Sequence, residues 1–175
     1  MRTRVSPALL AHCAGVAAAA SDLAYRWGAS ASEAEVAGWL HDYCKELGGE
    51  ILLADARRLG VAVGPLEERR PVQLLHAPVA AAELQRLGLS PACCAAVRRH
   101  TVGGAGMNTL ERCVYLADAI EPGRSYDGVE ELRRLSTESL PEAVAWSARR
   151  TLRRLVERRR PVHPDTLALY NESCL

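Results

Sequence analysis

Apolar positions recur along most of this chain with the spacing of helices, not of strands. Between about residues 8 and 27, His12, Val16, Ala20 and Leu23 fall on one helical face in an Ala- and Leu-rich stretch that Gly28 stops. Ser32 followed by Glu35 reads as a capping box. It opens a second helix through Ala37, Leu40 and His41, with the segment HDYCKE at or near its end. Residues 48–59 predict a short helix ended by Gly60, and 61–75, with Gly64, Pro65 and Pro71, predict mostly loop. Pro78 is placed in the first turn of a helix running to about Leu87, which leaves His76 just ahead of it. Gly88 and Pro91 bracket a turn before a helix from Ala92 to about His100. The glycine-rich TVGGAG, at 101–106, then separates it from a helix over about Asn108–Ile120. Leu110 and Val114 share roughly the face of Asp118 on that helix, and EPGRSYDG, at 121–128, predicts a loop. Leu140, Val144, Ala148, Leu152 and Leu155 line one side of a long helix over 138–159. Pro161 and Pro164 follow, then a short tail helix. No run alternates as a strand would, and no period repeats. The expected fold is all-α: one helical-bundle domain over 1–175, with its core at about 8–160 and a short C-terminal tail.

Length and composition agree. A chain of 175 residues, 49% hydrophobic, can bury one sizeable core. No segment has the unbroken apolar run that a bilayer span needs, so no membrane partner is expected. The N-terminal MRTRVSPALLAHCAGVAAAA is basic and then Ala-rich, as secretory signals are. His12 interrupts the run and Asp22 soon follows, so a signal peptide is not expected. The net charge of +1 demands no nucleic-acid partner. Arginine is nevertheless concentrated in RRTLRRLVERRR, at 149–160, as a solvated helix face or, on a sharper reading, a docking surface for a polyanion or a partner. The six cysteines form no CxxC pair and are irregularly spaced, so most are expected to be small buried hydrophobes. A cytoplasmic location follows by default.

Four of the five histidines (His12, His41, His76 and His100) and two aspartates (Asp42 and Asp118) fall at the ends or inner faces of predicted helices. Imidazole and carboxylate suit iron, manganese or zinc, whereas a structural zinc site more often uses closely spaced thiolates. Neighbouring side chains on a helix diverge by about 100°, so His41 and Asp42 fit adjacent positions around a metal pair, with the carboxylate using both oxygens. Each residue also has a plainer reading. His12 alone would be a buried histidine with one hydrogen bond, His76 a capping or surface residue, and His100, beside Arg98 and Arg99, a solvated helix end. Asp118, inside YLADAI, is costly to bury unless paired or coordinated. Spacing alone leaves a metal site and these alternatives evenly balanced.

The segments WLHDYCKEL, LLHAPVAAAEL at 74–84, AVRRHTVGGAGMNTLERCVYLADAIEPGR at 96–124 and SYDGVEELR resemble the HD-domain superfamily of metal-dependent phosphohydrolases, and within it the YqeK family of symmetrical bis(5′-nucleosyl)-tetraphosphatases. The resemblance spans roughly residues 10–160. It implies two divalent metals, iron first, with manganese or zinc as alternatives. His12, His41, Asp42 and Asp118 would hold one ion, and His76 and His100 the other, with Asp42 shared. One position departs from the family pattern. A basic residue usually stands three or four places before the first histidine, where this chain has Ala8 and Leu9, with Arg4 further back.

The implied reaction is cleavage of diadenosine tetraphosphate into two ADP by a hydroxide between the metals. Asp42, Lys45 and Arg124 are the catalytic candidates. Lys45 and Arg124 would pair with phosphate oxygens. Thr101, at the start of the glycine-rich rim, could donate a hydroxyl. Among Tyr43, Tyr115 and Tyr126 the last is the preferred stacking surface for a base because it lies in a predicted loop; Met107 and Trp39 are expected to pack inside. A homodimer is compatible with the sequence. The alternatives are an HD hydrolase acting on mononucleotides or alarmones, and a non-catalytic HD module whose basic helix contacts RNA or a protein.

Overall fold

The computed structural model describes residues 5–174. Ten helices and no strands are found among these residues. They are α1 (Pro7–Arg26), α2 (Ala31–Leu40), α3 (Gly49–Leu59), α4 (Pro65–Arg69), α5 (Pro71–Arg86), α6 (Pro91–Arg99), α7 (Thr109–Ile120), α8 (Val129–Glu138), α9 (Leu140–Glu157) and α10 (Pro164–Glu172). The expected all-α bundle is therefore observed.

Helix starts follow local chemistry. Ser6, Ser30, Ser90 and Asn108 each accept a backbone N–H three residues on, at α1, α2, α6 and α7. The cap of α2 is Ser30, not Ser32. The Glu33 carboxylate that would complete a box there instead accepts a hydrogen bond of 2.6 Å from the Ser90 hydroxyl, tying α2 to α6. Residues 61–75 are not mostly loop: Pro65 and Pro71 each sit in the first turn of a helix, where a missing N–H costs nothing. Pro78 is accordingly inside α5, and His76 lies on that helix and not ahead of it. Residues 129–138 add a helix, α8, absent from the expected pattern. It is separated from α9 by Ser139, whose extended backbone (φ −154°) and capping hydroxyl start the next helix.

Helix α1 packs on α2 and α7, and α6 bridges α2, α5 and α7, so these five helices meet in the middle of the bundle. By length and mean apolarity α1 would satisfy the requirement for a bilayer span, against the sequence expectation. Yet its Val16, Ala17, Ala20 and Ala24 are buried in the core. Six leucines (Leu52, Leu75, Leu84, Leu116, Leu132 and Leu169) are fully buried, each contributing about 1.5–3 kcal/mol. The α1–α2 contact depends on Gly38: a Cβ there would lie 2.5 Å from the Ala17 Cα. That close approach brings His12, in the middle of α1, over the end of α2.

Five cysteines are buried and Cys174 is exposed, and none of the six is in a disulfide. Met107 is buried, as expected. Trp39 is not. It is 41% exposed, because α2 turns Ala34, Ala37 and Gly38 inward and leaves Trp39 on the rim.

Candidate metal centre

Three helix ends and two helix middles aim side chains at one point. His41 is the C-cap of α2 and His100 the C-cap of α6. The last carbonyls of a helix lack partners, and both rings fill that need. His41 Nδ1 donates to the Gly38 carbonyl (2.7 Å) and His100 Nδ1 to the Val97 carbonyl (2.8 Å). On α5, His76 Nδ1 donates to the Val72 carbonyl at 2.8 Å. With each Nδ1 carrying the proton, each Nε2 presents a lone pair to the interior, as metal-ligating histidines do.

These nitrogens converge. His12 Nε2 is 3.2 Å from His41 Nε2, and His76 Nε2 is 3.2 Å from His100 Nε2. Asp42 lies between the pairs. Its Oδ2 faces His41 (3.5 Å) and His12 (3.9 Å), and its Oδ1 faces His76 (3.2 Å) and His100 (3.4 Å). Asp118, on α7, completes the first side with Oδ1 3.2 Å from His12 Nε2. Asp42 Oδ1 is buried without a hydrogen bond, with the Lys45 ammonium 3.3 Å away as its cationic neighbour; a carboxylate oxygen in that state is costly, and a metal ion would meet its remaining need. Three overlapping triads (His12–His41–Asp42, His41–His100–Asp118 and Asp42–His76–His100) have the spacing of metal ligands. The structure thus brings together all six residues expected to hold metals.

Electrostatics follow the same division. Burial pushes Asp42 and Asp118 toward the protonated form, but the imidazoles around them win. His100, His41 and His76 hold Asp42 well below the usual carboxylate range, and His12 chiefly does so for Asp118. The Asp118 carboxylate raises His12 above its ordinary value, against the opposing effect of burial. Burial drives His100 down to about 4 despite the pull of Asp42, so it is neutral at physiological pH.

Polar groups rim the centre. The Lys45 ammonium is 3.3 Å from both Asp42 Oδ1 and His76 Nε2. Thr101 Oγ1 is 3.1 Å from His76 Nε2 and 3.0 Å from His100 Nε2. Arg124 pairs with the Asp118 carboxylate and donates from Nε to the Asp118 carbonyl (2.7 Å). Tyr126 is the outlier. Its hydroxyl donates to the Ala119 carbonyl (2.8 Å), and Arg150 covers one ring face at 3.6 Å. Tyr115 is buried with its hydroxyl against Ser147, and the fifth histidine, His163, pairs with Glu67 at 3.0 Å. Arg4 lies outside the described residues.

The sequence reading missed Glu121. This buried carboxylate faces His12 Nδ1 at 3.2 Å, accepts the Gly123 N–H at 2.6 Å and lies 3.7 Å from Arg124 Nε. It does for His12, in mid-helix, what helix carbonyls do for the other three rings. A carboxylate directly before Pro–Gly reads as loop polarity, and only its burial sets it apart.

The HD-domain family model matches residues 9–123, an interval containing all six candidate ligands. The chain belongs to the HD-domain family. It is a metal-dependent phosphohydrolase of that superfamily, homologous to the symmetrical bis(5′-nucleosyl)-tetraphosphatases. It is 38% identical to the enzyme of that description from Bacillus subtilis, over 91% of this chain and 86% of the relative. It is 33% identical to that of Halalkalibacterium halodurans, over 94% and 88%. The crystal structure of an HD-superfamily hydrolase from Clostridium acetobutylicum, described as involved in NAD metabolism, superposes with a TM-score of 0.93 at 29% identity, covering 97% of this chain and 90% of that one.

Proposed function

We propose that this HD protein hydrolyses diadenosine tetraphosphate and related dinucleoside polyphosphates at the centre of the phosphate bridge, releasing two ADP. The observation that carries the reading is Asp42, one oxygen toward His12 and His41, the other toward His76 and His100. The activity of the Bacillus and Halalkalibacterium relatives supports the choice of substrate.

His12, His41, Asp42 and Asp118 would hold one divalent ion and His76, His100 and Asp42 the other; iron leads, and manganese and zinc accept the same donors. When bound, the ions supply an activated water and neutralise charge on the attacked phosphoryl group. Asp42 stays ionised and orders the four imidazoles. Lys45, 41% exposed beside the buried Asp42, binds a phosphoryl oxygen as a mobile point charge. Arg124 offers its remaining N–H groups to the leaving phosphate, and Thr101 orients an oxygen beside His76 and His100. Tyr126 keeps one ring face for a base. No covalent nucleophile is needed, and the nearby Cys13 is a poor one: burial pushes its thiol up to about 11.

The test is incubation of anaerobically purified protein, loaded with iron or manganese, with diadenosine tetraphosphate, followed by ion-exchange separation of products. ADP alone is expected. AMP with ATP would reject central cleavage, and no product with either metal would move the search to mononucleotides and alarmones.

A further inference from the structure

The basic run at 149–160 takes no part in the metal centre, yet it does not simply face solvent. A cavity of about 430 Å³ is lined by Lys45 and Thr101 together with Arg70, Arg154, Arg158 and Arg160. Its size falls within the range of small-molecule sites. Lys45 and Thr101 are the two residues that also touch the centre, through Asp42 and the His76–His100 pair. The cavity is therefore continuous with the place where a phosphoryl group would sit.

Its charge is one-sided. Five cationic side chains line it and no carboxylate does, in a chain whose 21 acidic residues almost balance 22 basic ones. The arginines near acidic neighbours are spoken for: Arg58, Arg99, Arg112, Arg124, Arg133 and Arg134 all have carboxylate partners. The four cavity arginines have none among the described residues. A helix C-terminus tolerates basic residues, which accounts for Arg154 and Arg158 at the end of α9 and for Arg70, the C-cap of α4; it does not by itself account for two separate helix ends bringing their cations to one cavity. Like charges at i and i+4, as Arg154 and Arg158 are, also oppose the helix unless an anion lies between them.

The chain bends to add one more cation. Arg159 is the one described non-glycine residue with left-handed backbone, at φ 49°. This turn, with Arg160 N–H donating to the Leu155 carbonyl at 2.8 Å, ends α9 and brings Arg160 and Pro161 back over the cavity. Glycine would make such a turn without strain.

We infer that this arginine-lined cavity is a polyphosphate subsite. It receives the stretch of a nucleoside polyphosphate that extends beyond the phosphoryl group at Lys45 and Thr101, the guanidinium groups gripping its phosphates. The inference rests on the proposed reading of the substrate. It gives the basic end of α9 the polyanion-binding role, and it makes recognition of the bridge bipartite: one end at the centre, the other at α9.

Two variant pairs on the same helix test it: R154Q/R158Q in the cavity, and R149Q/R153Q, equally basic and exposed but outside it. Inorganic tripolyphosphate binding to metal-depleted protein is measured by calorimetry, with R70Q, at the end of α4, as a second cavity variant. Loss of charge-assisted bonds is expected to raise Kd roughly tenfold or more for R154Q/R158Q and for R70Q, with little change for R149Q/R153Q. Equal weakening in both pairs would mark a diffuse basic surface of the sort that holds RNA, and would overturn the subsite. So would wild-type protein that fails to bind tripolyphosphate. In the hydrolysis assay, KM for diadenosine tetraphosphate rises for the cavity variants while kcat holds. Intact, cavity-dependent tripolyphosphate binding without any ADP released would keep the subsite and remove the proposed substrate.

Discussion

The two halves of the candidate centre are built from the same donor types and differ in how they are held. His76 and His100 are buried and pinned by their own helices; their outer neighbours are Lys45 and the Thr101 hydroxyl. His12 and Asp118 keep 16% and 26% of their side-chain surface exposed and are held by charged partners, Glu121 and Arg124. One half relies on backbone geometry, which is present once the helices form. The other shares that device at His41, held by the Gly38 carbonyl, but for His12 and Asp118 relies on a carboxylate and a guanidinium from the EPGR turn. The difference predicts unequal grip on two metals: a permanent tenant in the buried half and a more exchangeable one beside Asp118.

Asp42→Asn strikes both halves and has the largest expected effect. Activity should fall by at least about 10³-fold, beyond the 10- to 100-fold typical for partners outside the ligand set, and metal analysis should show both ions depleted. Full retention of one ion would mean that Asp42 serves one side only.

Glu121→Gln separates the halves. It removes the carboxylate behind His12, so metal affinity or activity should drop about 10- to 100-fold. Metal content should settle near one ion per chain, with the thermal midpoint little changed. Equal loss of both ions would break the comparison.

A milder probe is acid. His12 is raised by Asp118, so it keeps a proton that competes with metal to higher pH than an ordinary histidine would; His100, at about 4, does not. On lowering the pH from 8, equilibrium dialysis should show the His12 side emptying first. Metal-free stability carries the opposite signs. Between the unfolded value of about 6.5 and about 4, the unfolded chain takes up a proton that folded His100 refuses, so stability falls as pH falls. His12 contributes stability that is full below about 6.5 and fades as pH rises through its raised value. Urea titrations of metal-free protein at several pH values would resolve both slopes.

Tyr126→Phe should do least. It deletes the bond to the Ala119 carbonyl, worth about 0.5–1.5 kcal/mol, while leaving the ring and its contact with Arg150. A large loss of kcat would give the hydroxyl a part in the reaction that its position does not suggest.

The ligands carried by regular helices were easier to read from sequence than the turn behind His12, and the reason is periodicity. Imidazoles at helix ends and Asp118 within an apolar helix stand out against a pattern of core positions. The EPGR turn has no period, so Glu121 looked like any loop acid until folding buried it against His12. Prolines misled in the same way: Pro65 and Pro71 open helices, and Pro78 sits within one, because a proline's meaning depends on which carbonyl it would have served. Trp39 looked like core by composition, but the tight approach of α1 at Gly38 fixes which face of α2 turns inward. Helix α8 was hidden behind a glycine and two acids that read as a continuation of the loop.

The placement of Asp42 also bears on how the protein fills. On the two-ion reading proposed above, a carboxylate reached from both sides would make the two metal-binding events one linked equilibrium. Whichever ion arrived first would fix the plane of that carboxylate for the second and would draw on the same negative charge. The first effect favours pairing and the second opposes it. Linkage requires each ion to change the other's affinity by the same factor. Half-metallated protein is therefore a population whose make-up, doubly filled and empty chains or mostly single occupants, reports the sign of that coupling.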